Sequence, residues 1–278
     1  MASAADPRAG DVQSLHRALD LLEEIARRGE MGVSALAREV GLKPSTTHNL
    51  LKTMTKRGYL LVTDGRYRLG PSVTAMTARF DPAVALPAII RPAIQKASRA
   101  TKINVLATVL INDRLQSIGW AESASLIYQV ASPREEWDPA AVLDPAAGRV
   151  LVAFSDRARW PAFIDAATGV EPAWTSEDWE RHLADIVDHG LCVKFDPKRY
   201  LALGVPVWSG AGVVMCSLAC ALPANMANSE LMQSILDALW AATSEISSLL
   251  GCRDLPYDKP VLRPEQLSAV DDRSPGRP

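Results

Sequence analysis

The stretch from Val33 to Gly70, VSALAREVGLKPSTTHNLLKTMTKRGYLLVTDGRYRLG, constrains this chain more than any other. Ser34 suits the N-cap of a helix that ends at Gly41. Pro44 or Ser45 opens a second helix, in which Leu50, Leu51 and Met54 recur at helical spacing. The intervening Gly41-Leu42-Lys43 has the length of a helix-turn-helix turn. Beyond Gly58, the runs Tyr59–Val62 and Arg66–Leu69 flank Asp64-Gly65, a dipeptide that favours a tight hairpin between β-prone segments. Helix, turn, helix and hairpin in this order spell a winged helix-turn-helix.

Upstream, Asp11 is expected to cap a helix whose residues Val12, Leu15, Ala18, Leu19, Leu22 and Ile25 form one buried stripe and which ends near Arg28-Gly29. Arg17, on its polar side, suits either a DNA backbone or an acidic neighbour.

Charge separates this region from the rest. The whole chain carries a formal net charge of −2. Residues 1–70 hold 11 Lys/Arg against 8 Asp/Glu, a balance of +3, which leaves −5 for the remainder. Between Lys43 and Arg68 six basic residues face Asp64 alone, a local balance of +5 on the second helix and the hairpin, where phosphates would lie. A solvated basic face without a partner is the plainer reading of the same residues.

With 278 residues the chain is long enough for a second domain with its own core. Prolines 71, 82 and 87 bracket a linker, and Ala88–Ala100 resumes helical character. Strands are expected at Ile103–Ile111, Leu115–Trp120, Leu126–Ala131, Val205–Trp208 and Val213–Leu222. Helices are expected at Pro145–Phe154, at Trp179–His189 with Gly190 as its stop, and at Ser229–Leu250 before Gly251. The fold class is α+β, an N-terminal winged helix-turn-helix joined by a linker helix to a mixed α/β domain with a mixed sheet. The expected boundaries are a flexible N-terminus at 1–11, the winged helix-turn-helix at 12–70, the linker at 71–87, the second domain at 88–252 and a disordered Asp-, Arg-, Pro- and Ser-rich tail at 253–278.

The N-terminal MASAADPRAG lacks the basic and apolar regions of a signal peptide. Tyr200–Ser229 carries no charge, but Pro206 and Ser209-Gly210-Ala211-Gly212 interrupt it, so it reads as two buried strands around a turn. A soluble, cytoplasmic chain is expected. Cys192, Cys216, Cys220 and Cys252, with His16, His48, His182 and His189, show no metal-ligand spacing and suit core thiols and surface or packed histidines. No metal or cofactor is expected.

The order of these pieces resembles the IclR family of bacterial transcriptional regulators over roughly Val12–Gly251. Gln13-Ser14-Leu15-His16-Arg17-Ala18-Leu19, Gly41-Leu42-Lys43-Pro44-Ser45-Thr46-Thr47-His48 and Gly58-Tyr59-Leu60 carry the N-terminal likeness. A looser one runs through Asn104–Val109, Leu143-Asp144-Pro145-Ala146-Ala147-Gly148-Arg149, Gly190 and Gly204-Val205-Pro206-Val207. The resemblance implies a regulator that binds a double-stranded DNA operator as a homodimer or homotetramer under the control of a small-molecule effector. DNA contacts would come from Lys43, Ser45, Thr46, Thr47, His48, Asn49 and Lys52 and from Arg66 and Arg68 on the wing; the plain alternative for His48 and Asn49 is an exposed polar helix face. Asn49 stands where relatives usually carry Arg, which shortens the reach to phosphate but offers an amide able to pair with adenine.

The resemblance places the effector against Asn104, Asp144, Lys194, Ala202, Ser217, Ala219 and Ala221. Alternation puts Ser217, Ala219 and Ala221 on one face of their strand and Cys216, Leu218 and Cys220 on the other. Relatives often present hydroxyls there, so the alanines imply a more apolar ligand, an aromatic or medium-chain acid whose polar end meets Lys194 or Asn104. Core packing of the alanines is the competing reading. From other functional classes, a small-molecule-binding protein without DNA binding and a hydrolase-like enzyme stay open. No G-x-S-x-G, H-E-x-x-H, P-loop or G-x-G-x-x-G element follows a strand here, and a Cys/His pair such as Cys192 with His189 is explained equally by strand or loop packing.

Overall fold

A computed structural model describes residues 12–77, 82–123, 141–167, 169–252 and 254–271. The chain divides into two compact units, Met1–Asp81 and Pro82–Pro278.

The first unit begins with α1 (Gln13–Arg28), followed by β1 (Met31–Gly32), α2 (Val33–Glu39), α3 (Pro44–Lys56), β2 (Leu60–Thr63), β3 (Arg66–Leu69) and α4 (Pro71–Thr77). Leu21, Ile25, Met31, Leu36, Leu51, Leu60 and Tyr67 make its core. Pro44 opens α3, where a missing N–H costs nothing because the first helical N–H groups have no intrahelical acceptor. Asp64 (φ 50°) and Gly65 (φ 73°) both take the left-handed conformation that a two-residue hairpin turn requires. The hairpin gains a third strand that sequence patterning does not show, since two-residue β1 pairs with β3 through Met31–Tyr67 and Gly32–Arg66.

Three expectations need correction in this unit. α2 starts at Val33 with Gly32 as its N-cap and no side-chain cap, so Ser34 lies inside the helix. Of the expected α1 stripe only Ile25 is fully buried: Ala18 and Leu22 are half-buried, Val12, Leu15 and Leu19 are exposed, and Leu21, outside the stripe, is the other α1 residue in the core. Thr47 is fully buried, its hydroxyl donating back to the Lys43 carbonyl at 3.2 Å. Asp11, expected to cap α1, lies outside the described residues.

The second unit contains α5 (Pro82–Ala85), α6 (Pro87–Thr101), β4 (Val105–Ile111), β5 (Arg114–Ala121), α7 (Ala146–Ala153), α8 (Trp160–Ala166), α9 (Ser176–His189), β6 (Cys192–Asp196), β7 (Tyr200–Trp208), β8 (Val214–Pro223), α10 (Ser229–Leu249) and α11 (Pro264–Asp271). Its sheet has the order β5-β4-β8-β7-β6. All described pairings are antiparallel, which corrects the mixed sheet expected from the sequence. β8 is central, and its alternation feeds two cores. Cys216, Leu218, Cys220 and Leu222 join α6 and α10 on one face, while α7, α8 and α9 cover the other. Each fully buried Leu or Ile in these layers contributes about 1.5–3 kcal/mol.

β6 is a strand that the sequence hides, because Lys194 and Asp196 break its apolar pattern. The expected linker 71–87 is divided between the units: α4 belongs to the first, and Leu86, 1 % exposed, lies in the core of the second. The tail also differs from expectation across its described residues, 254–271. Leu262 is buried, Tyr257 donates its hydroxyl to the Val187 carbonyl, Arg263 pairs with both oxygens of Asp185 at 2.7 and 2.8 Å, and α11 packs on α10. Composition alone suggests disorder; the anchors at Tyr257, at Leu262-Arg263 and along α11 offset the ordering entropy. The expected strand at Leu126–Ala131 lies outside the described residues.

Candidate functional site

Helical geometry sorts α3 into two faces. Thr47 and Leu51 point into the core. Lys43, Ser45, His48, Asn49, Lys52, Thr53 and Lys56 are exposed, and from Ser45 onward they recur three and four residues apart along one stripe. Thr46 is half-buried at the edge of that stripe. Among the described residues, the side chains of His48, Asn49 and Lys52 hold no intramolecular partner. On the wing Arg68 is exposed, whereas Arg66 donates to the Glu30 carbonyl at 2.8 Å and so braces β3 against β1. Of the nine residues expected to meet DNA, the structure thus gathers Lys43, Ser45, His48, Asn49, Lys52 and Arg68 on exposed surface, buries Thr47 and engages Arg66. Thr53 and Lys56 share the stripe and were missed, although adding four residues to Asn49 and to Lys52 finds both.

In the second unit, Lys194, Ala202 and Ala221 stand opposite one another on β6, β7 and β8, forming one row across the sheet. Lys194 is 8 % exposed, and its ammonium donates to the Asp144 carboxylate at 2.7 Å and to the Asp144 carbonyl at 2.8 Å. The Tyr200 ring lies 5.2 Å from the same nitrogen. Asp144 leads into α7, which begins two residues later. Asn104, just ahead of β4, accepts from the Ser123 N–H at 2.7 Å.

Ser217 and Ala219 belong to the same strand face but are separated from this row by α7. Ser217 is fully buried and donates to the Ala147 carbonyl at 3.1 Å. A Cβ on Gly204 would stand 3.0 Å from the Ala146 carbonyl oxygen, so helix and sheet are in close contact there. The seven expected effector residues therefore split. Asp144, Lys194, Ala202 and Ala221 come together, Asn104 lies just ahead of β4, Ser217 anchors α7, and Ala219 stands between Leu106 of β4 and Gly204 of β7.

Next to Lys194 is a cluster with no sequence motif. Arg149, 1 % exposed, donates to the Leu143 carbonyl at 2.9 Å and to Glu171 at 2.5 Å, and its guanidinium lies 5.4 and 4.9 Å from the ring centroids of Trp174 and Trp179. Glu171, bonded to Arg149, also lies 3.8 Å from Lys194, beyond hydrogen-bond distance. His182 touches Arg149 at 3.4 Å and the Cys192 sulfur at 3.9 Å. Burial, with the Arg149 charge behind it, holds His182 down to about 4, and burial pushes the Cys192 thiol up to about 11. The proton stays on sulfur and the imidazole stays neutral, the opposite of an activated nucleophile–base pair. His189, weighed as a base for Cys192, faces Asp185 from the exposed side of α9. Among the described residues no group of three His, Cys, Asp or Glu is placed to hold a metal ion, and no helix is long and apolar enough to cross a membrane.

Comparison with known proteins decides the relationship. Residues 14–63 match the IclR helix-turn-helix domain. The first unit thus carries an IclR-type helix-turn-helix. Its curated relatives include the acetate operon repressor of Salmonella typhimurium, 34% identical over 120 residues, which are 42% of this chain and 44% of that repressor. The chain thus spans less than half the length of that relative. The regulator KdgR of Escherichia coli is 24% identical over 264 residues, 91% of this chain and 98% of KdgR. Among solved structures, an IclR-type protein from Silicibacter sp. TM1040 is 22% identical with a TM-score of 0.60, covering 87% of this chain and 98% of that one. An IclR homolog from Microbacterium hydrocarbonoxydans, crystallised with 4-hydroxybenzoate, is 20% identical with a TM-score of 0.50 over 84% of this chain and 99% of that one. The IclR fold accordingly extends over both units, beyond the matched helix-turn-helix.

Proposed function

We propose that this chain is an IclR-family DNA-binding transcription regulator whose operator affinity is set by a small organic acid. The observation that carries it is the exposed basic stripe of α3 beside the wing, with its +5 balance between Lys43 and Arg68 in a chain of net charge −2. Ser45, Thr46 and Lys43 lie at the helix N-terminus, where free N–H groups favour phosphate. His48, Asn49, Thr53 and Lys52 follow on the groove side, and Arg68 reaches the backbone from the wing. Asn49 supplies the one amide on the stripe suited to a bidentate contact with adenine.

A single helix-turn-helix reads too few base pairs for useful specificity, so the chain works as a homodimer or dimer of dimers on paired half-sites. Val12, Leu15 and Leu19, exposed along one side of α1 at three- and four-residue spacing, offer an apolar seam to a second copy. The effector is an aromatic acid, its carboxylate at Lys194 and its ring near Tyr200, Ala202 and Ala221. The 4-hydroxybenzoate held by the Microbacterium homolog belongs to the same chemical class. Such a regulator acts in the cytoplasm and performs no catalysis.

Selection of operator fragments by the purified chain, followed by gel shift, tests the reading. Specific retardation that Lys52→Ala weakens supports it. Binding of all sequences alike, or of none, overturns it.

A further inference from the structure

The ammonium of Lys194 is the cation best placed to receive an acid on the sheet face, yet it already holds a carboxylate. Asp144 supplies both a carboxylate oxygen at 2.7 Å and its backbone carbonyl at 2.8 Å. The two partners differ in mobility. Lys194 is 8 % exposed and fixed in the β6 ladder opposite Ala202, whereas the Asp144 side chain is 46 % exposed and borders water. An exposed carboxylate loses little when it returns to solvent, because water replaces its hydrogen bonds. The buried ammonium, by contrast, cannot be left without an anion. Glu171, 3.8 Å away, does not substitute, because it is already bonded to Arg149 at 2.5 Å.

Resting on the effector reading given above, we propose that Asp144 is an intramolecular stand-in for the effector, which binds by exchanging its own carboxylate for that of Asp144 on Lys194. No net charge is buried in the exchange, one anion leaving the ammonium as another arrives. An aromatic ring attached to the incoming carboxylate meets Tyr200 and the two alanines of the row, Ala202 and Ala221. Release of Asp144 removes one of two ties on the turn Leu143–Pro145 at the head of α7, leaving the Arg149 bond to the Leu143 carbonyl, in the helix that Ser217 anchors to the sheet. Occupancy of Lys194 is thereby coupled to α7, one of the helices that cover this sheet face. The stand-in also sets the affinity, since a ligand sees only the fraction of molecules in which Lys194 is open.

Calorimetric titration of the full chain with benzoate and with benzamide, its uncharged isostere, separates this device from a simple structural ion pair. Asp144→Asn and Asp144→Ala are both expected to bind benzoate roughly tenfold more tightly than the wild type, with benzamide binding unchanged in either. Using the two variants covers the case in which the asparagine amide oxygen still holds Lys194. Benzoate binding that is unchanged or weaker in both variants overturns the stand-in while leaving the effector site in place. Benzoate binding by none of the three proteins overturns the site together with the stand-in. A parallel gel shift keeps the DNA reading separate, since operator retardation does not depend on either result.

Discussion

Arg149 and Glu171 form an ion pair at 2.5 Å beneath α9, with the arginine side chain 2 % exposed and the glutamate 26 %. The same guanidinium holds the Leu143 carbonyl and lies over two tryptophan rings, so one residue ties the head of α7 to the loop before α9. Arg149→Met is expected to destabilise the second unit by about 2–4 kcal/mol, because Leu143 loses its donor while Glu171 regains water from its exposed side. Urea unfolding monitored by tryptophan fluorescence measures it. A loss below about 1 kcal/mol would reduce the cluster to a surface-like pair.

The two faces of α3 predict opposite mutational phenotypes. Thr47→Val keeps the volume, removes one local hydrogen bond inside the core and should leave operator affinity unchanged, at a stability cost of about 1 kcal/mol. Lys52→Ala should leave stability unchanged, weaken binding to all sequences alike and lower the salt slope of log K by about 1. Fluorescence anisotropy at several salt concentrations reads both. A Thr47→Val chain that folds normally but loses the operator would place Thr47 at DNA despite its burial.

These two residues also show what was legible in the sequence. The helix-turn-helix, its Asp-Gly turn and the central strands follow from local signals, periodicity and turn chemistry, and the structure has them. A threonine among hydroxyl residues at a helix start looks like a phosphate contact, and only the helical phase relative to Leu51 reveals that Thr47 faces inward. Arg149, Glu171, Trp174 and His182 could not have been gathered from sequence, since they meet only when α7, α9 and the loop between them pack. Lys194 was legible as a candidate. Its pairing with Asp144, fifty residues away, was not.

Stability should fall in mild acid because of His182. Its folded-state value of about 4 lies below the 6.5 of the unfolded chain, the depression coming first from burial and then from Arg149. Between those values the unfolded state binds the proton and the folded state does not. His182 therefore costs no stability above about pH 6.5, and the folded state loses up to roughly 3 kcal/mol as pH drops from there to about 4, with no further loss below it. His182→Gln should remove this dependence while leaving that of the carboxylates. Unfolding midpoints at pH 7, 5.5 and 4.5 provide the check, and parallel wild-type and variant profiles would sink the assignment.

The C-terminal segment sets a ranking rather than a single value. Leu262 is 4 % exposed in the main core of the second unit, whereas the Arg263 side chain is 38 % exposed although its two bonds to Asp185 are well formed. Burial of apolar volume is not weakened by solvent, while a half-exposed ion pair is screened and opposed by side-chain entropy. Leu262→Ala should therefore cost about 2–4 kcal/mol and Arg263→Ala about 1 kcal/mol or less. Ending the chain after Cys252 should exceed either, since it removes Leu262, the Tyr257 hydroxyl bond to Val187 and the Lys259–Asp237 pair at once. Denaturation of the three variants orders the contributions. If Arg263→Ala costs more than Leu262→Ala, the segment is held by its charges rather than by its apolar anchor, and salt should then loosen it.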